Sequence, residues 1–164
     1  MRYCPLKSNN KAVVMSIICS VAAVVLFVSS AFVQGFGALY QITAIIFAVI
    51  SLHLYLKYIA CEYVYEACEN DLKIYKTTGK KSICVASLSY AASKSRVMNL
   101  REYTLLKNNM PKYSYTVNYA KNLYPEQYCL YFFDFNGKTV RMKFEPDDVF
   151  AEYINKHIEK TSSI

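Results

Sequence analysis

The sequence predicts a membrane α-hairpin followed by an α+β soluble domain. That domain is expected to be a strongly bent antiparallel sheet or barrel of six to seven strands, capped by a C-terminal helix. Three observations predict it. Residues 12–56 hold no Asp, Glu, Lys or Arg, whereas all 12 acidic residues lie between Glu62 and Glu159. Stretches of period two, rich in Tyr, Val and Ile, recur through the polar part. Near the end the apolar period changes to three and four, which is that of a helix. The 164 residues thus divide into a basic N-terminus (1–11), an apolar hairpin (12–60) and a domain (61–164). A domain of about 100 residues can bury a modest core of its own.

The hairpin comes first in the chain. One membrane span needs about 20 helical residues. The charge-free stretch therefore holds two, over 12–33 and 38–59, with the turn QGFG (34–37) between them. Two helices apolar all round could not be covered by the rest of so short a chain, which argues against a soluble core hairpin. A cleaved signal peptide fits poorly, because its apolar run is usually about 7–15 residues and ends at small residues. Arg2, Lys7 and Lys11 precede the first span, Lys57 stands at the inner end of the second, and the turn has no Lys or Arg. Both termini are therefore expected in the cytoplasm, on a multi-pass protein of the plasma membrane. Lys11, Tyr40, Tyr55, Lys57 and Tyr58 are the expected interface anchors. Tyr40 stands roughly 22–27 Å from Tyr55 and Tyr58 along a helix, a bilayer's interface spacing. Ser16, Ser20, Ala23 and Ala31 lie near one face of the first span, where small residues allow close contact within the hairpin or with a partner. His53 is titratable within a span, but it stands one turn before Lys57, where an imidazole reaches water.

The strands follow. YVYEAC (63–68), DLKIYKT (71–77) and KSICVAS (81–87) are separated by Glu69-Asn70 and by Thr78-Gly79-Lys80. YSYTVNYA (113–120), QYCLYFFDF (127–135) and KTVRMKFE (138–145) come later. Pro125-Glu126 divides the first two of these, and Asn136-Gly137 is a strong hairpin signal between the last two. Within 88–112, Val97-Met98 is expected to open a short strand and REYTLLKN to make a helical turn or two before Pro111. The closing helix is expected over about 146–160. Pro146 takes its first position, Asp147 and Asp148 face its N-terminal amides, and Val149, Phe150, Tyr153, Ile154, His157 and Ile158 form one stripe.

Two apolar spans, then YVYEACENDLKIYKTTGKKS, then NGKTVRMKFEPDDVFAEYINKH, resemble small membrane proteins of Gram-positive, clostridia-type bacteria. Those proteins carry a bacterial PH-like domain after the spans. The resemblance implies a PH-like fold for 61–164 and brings no functional residues with it.

Catalytic signals are absent: there is no nucleophile elbow, no glycine-rich phosphate loop and no HExxH. Six scattered cysteines without a CxxC, and two histidines, assemble no zinc pattern and read as reduced thiols. No enzyme activity, cofactor or metal is expected. Charge is more informative. From Lys73 to Lys143 the basic residues outnumber the acidic ones by ten, whereas the segment from Phe144 onward is net acidic. Each Lys or Arg held near an anionic leaflet contributes ~1 kcal/mol. Lys73, Lys76, Lys80, Lys81, Lys94 and Arg96 are therefore the expected contacts to anionic lipid headgroups or to an acidic partner. A plain solvated basic face would look the same in sequence. The basic residues form no single dense run, and nucleic acid is not expected as a partner. The resulting reading is a non-catalytic binding module presented at the inner leaflet. Its alternative is an accessory subunit of a transporter or envelope-assembly complex, bound through the hairpin.

Overall fold

Alternation in the polar part of the chain builds two sheets. The computed structural model describes residues 1–6, 10–33 and 35–162; Lys7 and Gln34, counted above in the flank and turn, lie outside them. In order these are β1 (Arg2–Tyr3), α1 (Lys11–Ser29), α2 (Gly37–Leu54), β2 (Cys61–Ala67), β3 (Asp71–Thr78), β4 (Lys81–Ser89), β5 (Met98–Asn99), α3 (Leu100–Leu106), β6 (Tyr115–Asn118), β7 (Cys129–Phe135), β8 (Lys138–Phe144) and α4 (Asp148–Ser162). The chain forms two units, one of the two apolar helices and one of the sheets with α3 and α4.

In the helical unit, α1 and α2 are long and apolar enough to cross a membrane by length and composition. The helices Lys11–Ser29 and Gly37–Ile59, the latter α2 with its continuation, have mean hydropathies of 2.7 and 1.8 over windows of which only 17% is buried. The buried positions are Ala12, Ser16 and Cys19 of α1 and Ala44, Ser51 and Leu54 of α2. Residues spaced by three, four and seven share one helix face, so these side chains, all small except Leu54, form a seam that brings the two backbones close. α1 ends four residues sooner than the expected 33, and the turn is correspondingly longer. Gly37 is needed where the turn closes, since a Cβ there would stand 2.9 Å from the Ser30 carbonyl oxygen. Beyond Leu54 the helix continues as one π turn over Tyr55–Ile59.

In the sheet unit, one sheet has the order β1-β2-β3-β4 and the other β5-β7-β8-β6. Among the described residues, 61–164 forms seven strands, within the expected six to seven, and β1 adds an eighth from outside that range; they are not all antiparallel. β6 pairs parallel with β8, Thr116 facing Arg141 and Asn118 facing Lys143. The cause is the connection after β6, which carries the chain past β8 so that β7 returns on its far side. β1 was not expected as a strand. Arg2 pairs with Glu66 and Tyr3 with Tyr65, while Met1 exchanges backbone bonds with Ala67. Two residues carry too little alternation to be read as a strand, and the pairing follows from Tyr3 stacking on Tyr65 and Phe150.

The core lies between the sheets and under α4. Tyr65, Leu72 and Ile74 face Tyr131, Met142 and Phe144, and α4 adds Phe150, Ile154 and Ile158. The Tyr65 ring meets Phe144 edge-on at 5.4 Å. Its hydroxyl donates to the Tyr119 carbonyl (2.8 Å) and accepts from the Glu145 amide, so a buried polar group is satisfied twice. α4 begins two residues after Pro146, not on it. Asp147 is its cap, accepting from the Phe150 amide at 2.7 Å. Val149, expected on the buried stripe, is 65% exposed, because the stripe runs through Phe150, Ile154 and Ile158 at spacings of four. In 88–112, Asn99 caps α3 in a capping box with Glu102. Asn155 holds the segment before it to α4, accepting from the Val97 amide and donating to the Val97 carbonyl.

Candidate functional site

The two-residue loop Gly79-Lys80 turns β3 into β4. Gly79 has φ +59°, and Thr78 pairs with Lys81. Glycine in the first loop position is the order of a type II′ turn, which matches the twist of the strands. The turn projects Lys80 and Lys81 into solvent with Lys76 half-buried nearby, and none of the three has an ion pair among the described residues. Lys73 lies at the other end of β3, opposite Ser87 and 3.6 Å from Asp71, whose charge raises the Lys73 pKa. Seven residue steps separate it from Lys80, about 23 Å of extended chain.

Lys94 and Arg96 lie in the segment before β5, beside β7 of the other sheet. The Lys94 amide donates to the Phe132 carbonyl, and its Nζ stands 3.9 Å from Asp134. Arg96 stands 3.5 Å from Glu102. Thus the six expected contact residues do not form one patch. Lys76, Lys80 and Lys81 stand together at the β3–β4 tip, while Lys73, Lys94 and Arg96 each have a carboxylate neighbour.

A second basic place emerges on the outer face of the β5-β7-β8-β6 sheet. Alternation sends Val140, Met142 and Phe144 of β8 inward and Arg141 and Lys143 outward. A small cluster of Met98, Leu130 and Phe132, with Tyr103, Met110 and Tyr128 against it, floors this face. The Phe132 ring lies 6.0 Å from both Tyr103 and Tyr113. Arg141 Cζ stands 4.1 Å from the Tyr113 ring centroid, and its Nε donates to Thr116 Oγ1 at 3.1 Å. Lys143 Nζ stands 3.7 Å from the Tyr128 centroid. Burial lowers the Lys143 pKa, opposed by the field of Glu145. The R-x-K spacing on a strand after Asn-Gly places both cations on one face, which is legible in sequence. Their ring partners are not, since Tyr113 and Tyr128 come from loops 28 and 15 residues away.

The expected interface anchors sit at the ends of the apolar helices. Lys11 is the first residue of α1 and exposed, and Tyr40 is half-buried in the first turn of α2. Tyr55, Lys57 and Tyr58 share the π turn, with Lys57 Nζ 5.1 Å from the Tyr58 centroid. Between the helices Ser51 joins two hydroxyls, Ser16 at 3.0 Å and Ser20 at 2.8 Å, and donates to the Ser16 carbonyl at 2.9 Å. An open groove of about 480 Å³ runs along Ser16, Ser20, Ala23, Ala48 and Ser51.

The remaining reactive types are held in structural settings. Burial pushes the Cys129 thiol up to about 12, so it stays protonated and a poor nucleophile at neutral pH. His157 Nδ1 lies 2.9 Å from the Tyr153 carbonyl, with its ring against Tyr153 and near Tyr90. The fully buried Tyr90 hydroxyl has no hydrogen-bond partner among the described residues, and burial raises its pKa. No group of three His, Cys, Asp or Glu is placed to hold a metal among the described residues.

No curated protein and no solved structure matches the chain. One family model does, over residues 5–163, so its pattern takes in the two apolar helices as well as the sheets. The chain belongs to the family described as a bacterial PH-like domain (DUF6106).

Proposed function

We propose that this is an integral membrane protein that presents its PH-like domain at the inner leaflet as a non-catalytic binding module. The observation that carries the reading is the surface of α1 and α2. Val21, Val24, Phe27, Ile42, Ile45, Val49 and Leu52 are each more than half exposed, around helices with almost no polar cover. Water solvates such a surface poorly, and a hydrocarbon layer solvates it well. The pairing of β1 with β2 supports a common side for both ends. Residues before α1 and after α2 share one sheet, so the chain must leave and return through the same face. The excess of Lys and Arg in the flanks makes that side the cytoplasm. Lys76, Lys80 and Lys81 then meet anionic headgroups, each adding ~1 kcal/mol near the surface.

Native cysteines test the sidedness. Cys4 and Cys84 are exposed in the sheet unit. A membrane-impermeant maleimide should label both in inverted vesicles and neither in intact cells, and labelling from outside would overturn the orientation. Headgroup contact is tested in nanodiscs carrying the full chain. Phosphatidylglycerol, compared with phosphatidylcholine, should slow hydrogen exchange around the β3–β4 tip, and Lys80→Ala with Lys81→Ala should abolish the difference. Equal exchange in the two lipids would sink the headgroup contact. A second reading, an accessory subunit bound through the hairpin, is favoured by the open groove of small residues along Ser20, Ala23 and Ala48. It requires a stoichiometric partner after mild detergent extraction, lost on Ala48→Leu.

A further inference from the structure

We propose that Arg141 and Lys143 form a binding site for a phosphate group on the outer face of the β5-β7-β8-β6 sheet. The two side chains leave one strand two residues apart, about 7 Å along it, on the same face. That spacing lets one phosphate accept charge-assisted bonds from both, each about 2.8 Å long. Neither cation is taken by a carboxylate among the described residues, unlike Lys73, Lys94, Arg96 and Lys121. Asp134, the acid on the same face of β7, is occupied by Lys94 and by the Gly137 amide. Glu145, two residues beyond Lys143, is buried, and its field acts on Lys143.

Both cations are also held in place. Thr116 takes the Arg141 Nε–H, leaving four of the five guanidinium donors for a ligand. Tyr113 and Tyr128 stand beneath the two charges. The rings fix position without neutralising charge, because a ring face attracts a cation but accepts little of its hydrogen bonding. Partial burial strips water from Lys143, so an incoming oxyanion displaces less hydration there than at an exposed lysine. Tyr113 is itself 40% exposed, which leaves the face open to solvent. The site is on a different sheet from the Lys80–Lys81 tip and stands whether or not that tip meets lipid.

The test uses the full chain in neutral detergent micelles, followed by amide resonances of Thr116, Arg141 and Lys143. One arm adds inorganic phosphate, and the other adds short-chain phosphatidylglycerol. A saturable shift is expected, weakened about tenfold by Arg141→Gln or Lys143→Gln, since each removes a charge-assisted bond. Lys156→Gln, an exposed charge on α4, should leave it unchanged. Saturation by phosphate alone supports a soluble phosphorylated ligand, and saturation by the lipid alone supports a headgroup. No saturable shift with either, in a chain whose other resonances are native, overturns the site. So does an undiminished shift in the Arg141→Gln, Lys143→Gln double variant.

Discussion

At the β3–β4 tip, Lys80 and Lys81 stand in solvent beyond a two-residue loop. On the outer face of the other sheet, Arg141 and Lys143 stand over tyrosine rings that themselves rest on a packed cluster. Both places are basic, and their physics differs. The tip lysines keep their rotamer freedom and their water, so each ordered contact must first offset about 2 kcal/mol of side-chain entropy. Such charges act as a field, summed over many lysines and weakened by salt. Arg141 and Lys143 have already lost much of that freedom in folding, so they can form directed bonds to one group. Counting charges in a sequence finds the first kind of place and is blind to the second.

The largest way to break the contrast is to remove its floor. Phe132 is fully buried and supports both Tyr103 and Tyr113. Phe132→Ala should cost about 3–5 kcal/mol, the usual range for a large core ring. Thermal melting and hydrogen exchange should show the loss in β7 and β8, with the tip exchanging as before. A cost below about 1 kcal/mol would mean that the rings over Phe132 are supported by something else.

Alkaline pH probes the same contrast through cysteine. Cys129 is half-buried on β7, whereas Cys84 is exposed on the edge strand β4. The Cys129 pKa is raised to about 12 from 9.0, so the folded state favours the protonated thiol. Its contribution is complete below pH about 9 and is lost as pH climbs from there towards 12, up to about 4 kcal/mol. Tyr65 and Tyr131 are raised by burial too and steepen the upper part of the same limb. Cys129→Ala should therefore flatten the fall in stability as pH rises from about 9, where the unfolded thiol is the first of these groups to ionise. Denaturant midpoints across that window decide it.

Most of the fold was legible because its signals are local. Gly79 and Asn136-Gly137 mark both tight hairpins, and the alternation in 71–77, 81–87 and 138–145 matches strands within two residues at each end. What escaped is non-local. β1 is two residues held by Tyr3 on rings 62 and 147 positions away. The parallel β6–β8 pair depends on where a loop crosses, which no period encodes. The Asn155 clamp on Val97 joins an α4 residue to a loop that shows no pattern of its own. One further signal is local: Asn99-x-x-Glu102 is a capping box, and it fixes the start of α3. The basic site divides in the same way. The tip is a hairpin loop and visible; the Arg141–Lys143 face needs rings from two separate loops.

The smallest test compares the two loops themselves. Gly79 has φ +59° and Gly137 has φ +73°, and a Cβ at either would meet nothing within 4 Å. Any cost of Gly→Ala there is conformational, not steric contact, and should be about 1 kcal/mol at each site. The neighbours then separate them. In Asn136-Gly137 both residues have positive φ, the pattern of a type I′ turn in the left-handed helical region, which Asn tolerates. Gly137→Asn should therefore recover most of what Gly137→Ala loses. At Gly79 the type II′ order needs a backbone that no L-residue favours, so Gly79→Asn should cost as much as Gly79→Ala. Equal recovery at the two loops, read from urea midpoints of the four variants, would mean that both are the same turn. The tip lysines would then project differently from those of a type II′ loop, while Arg141 and Lys143, fixed in mid-strand, would keep their direction.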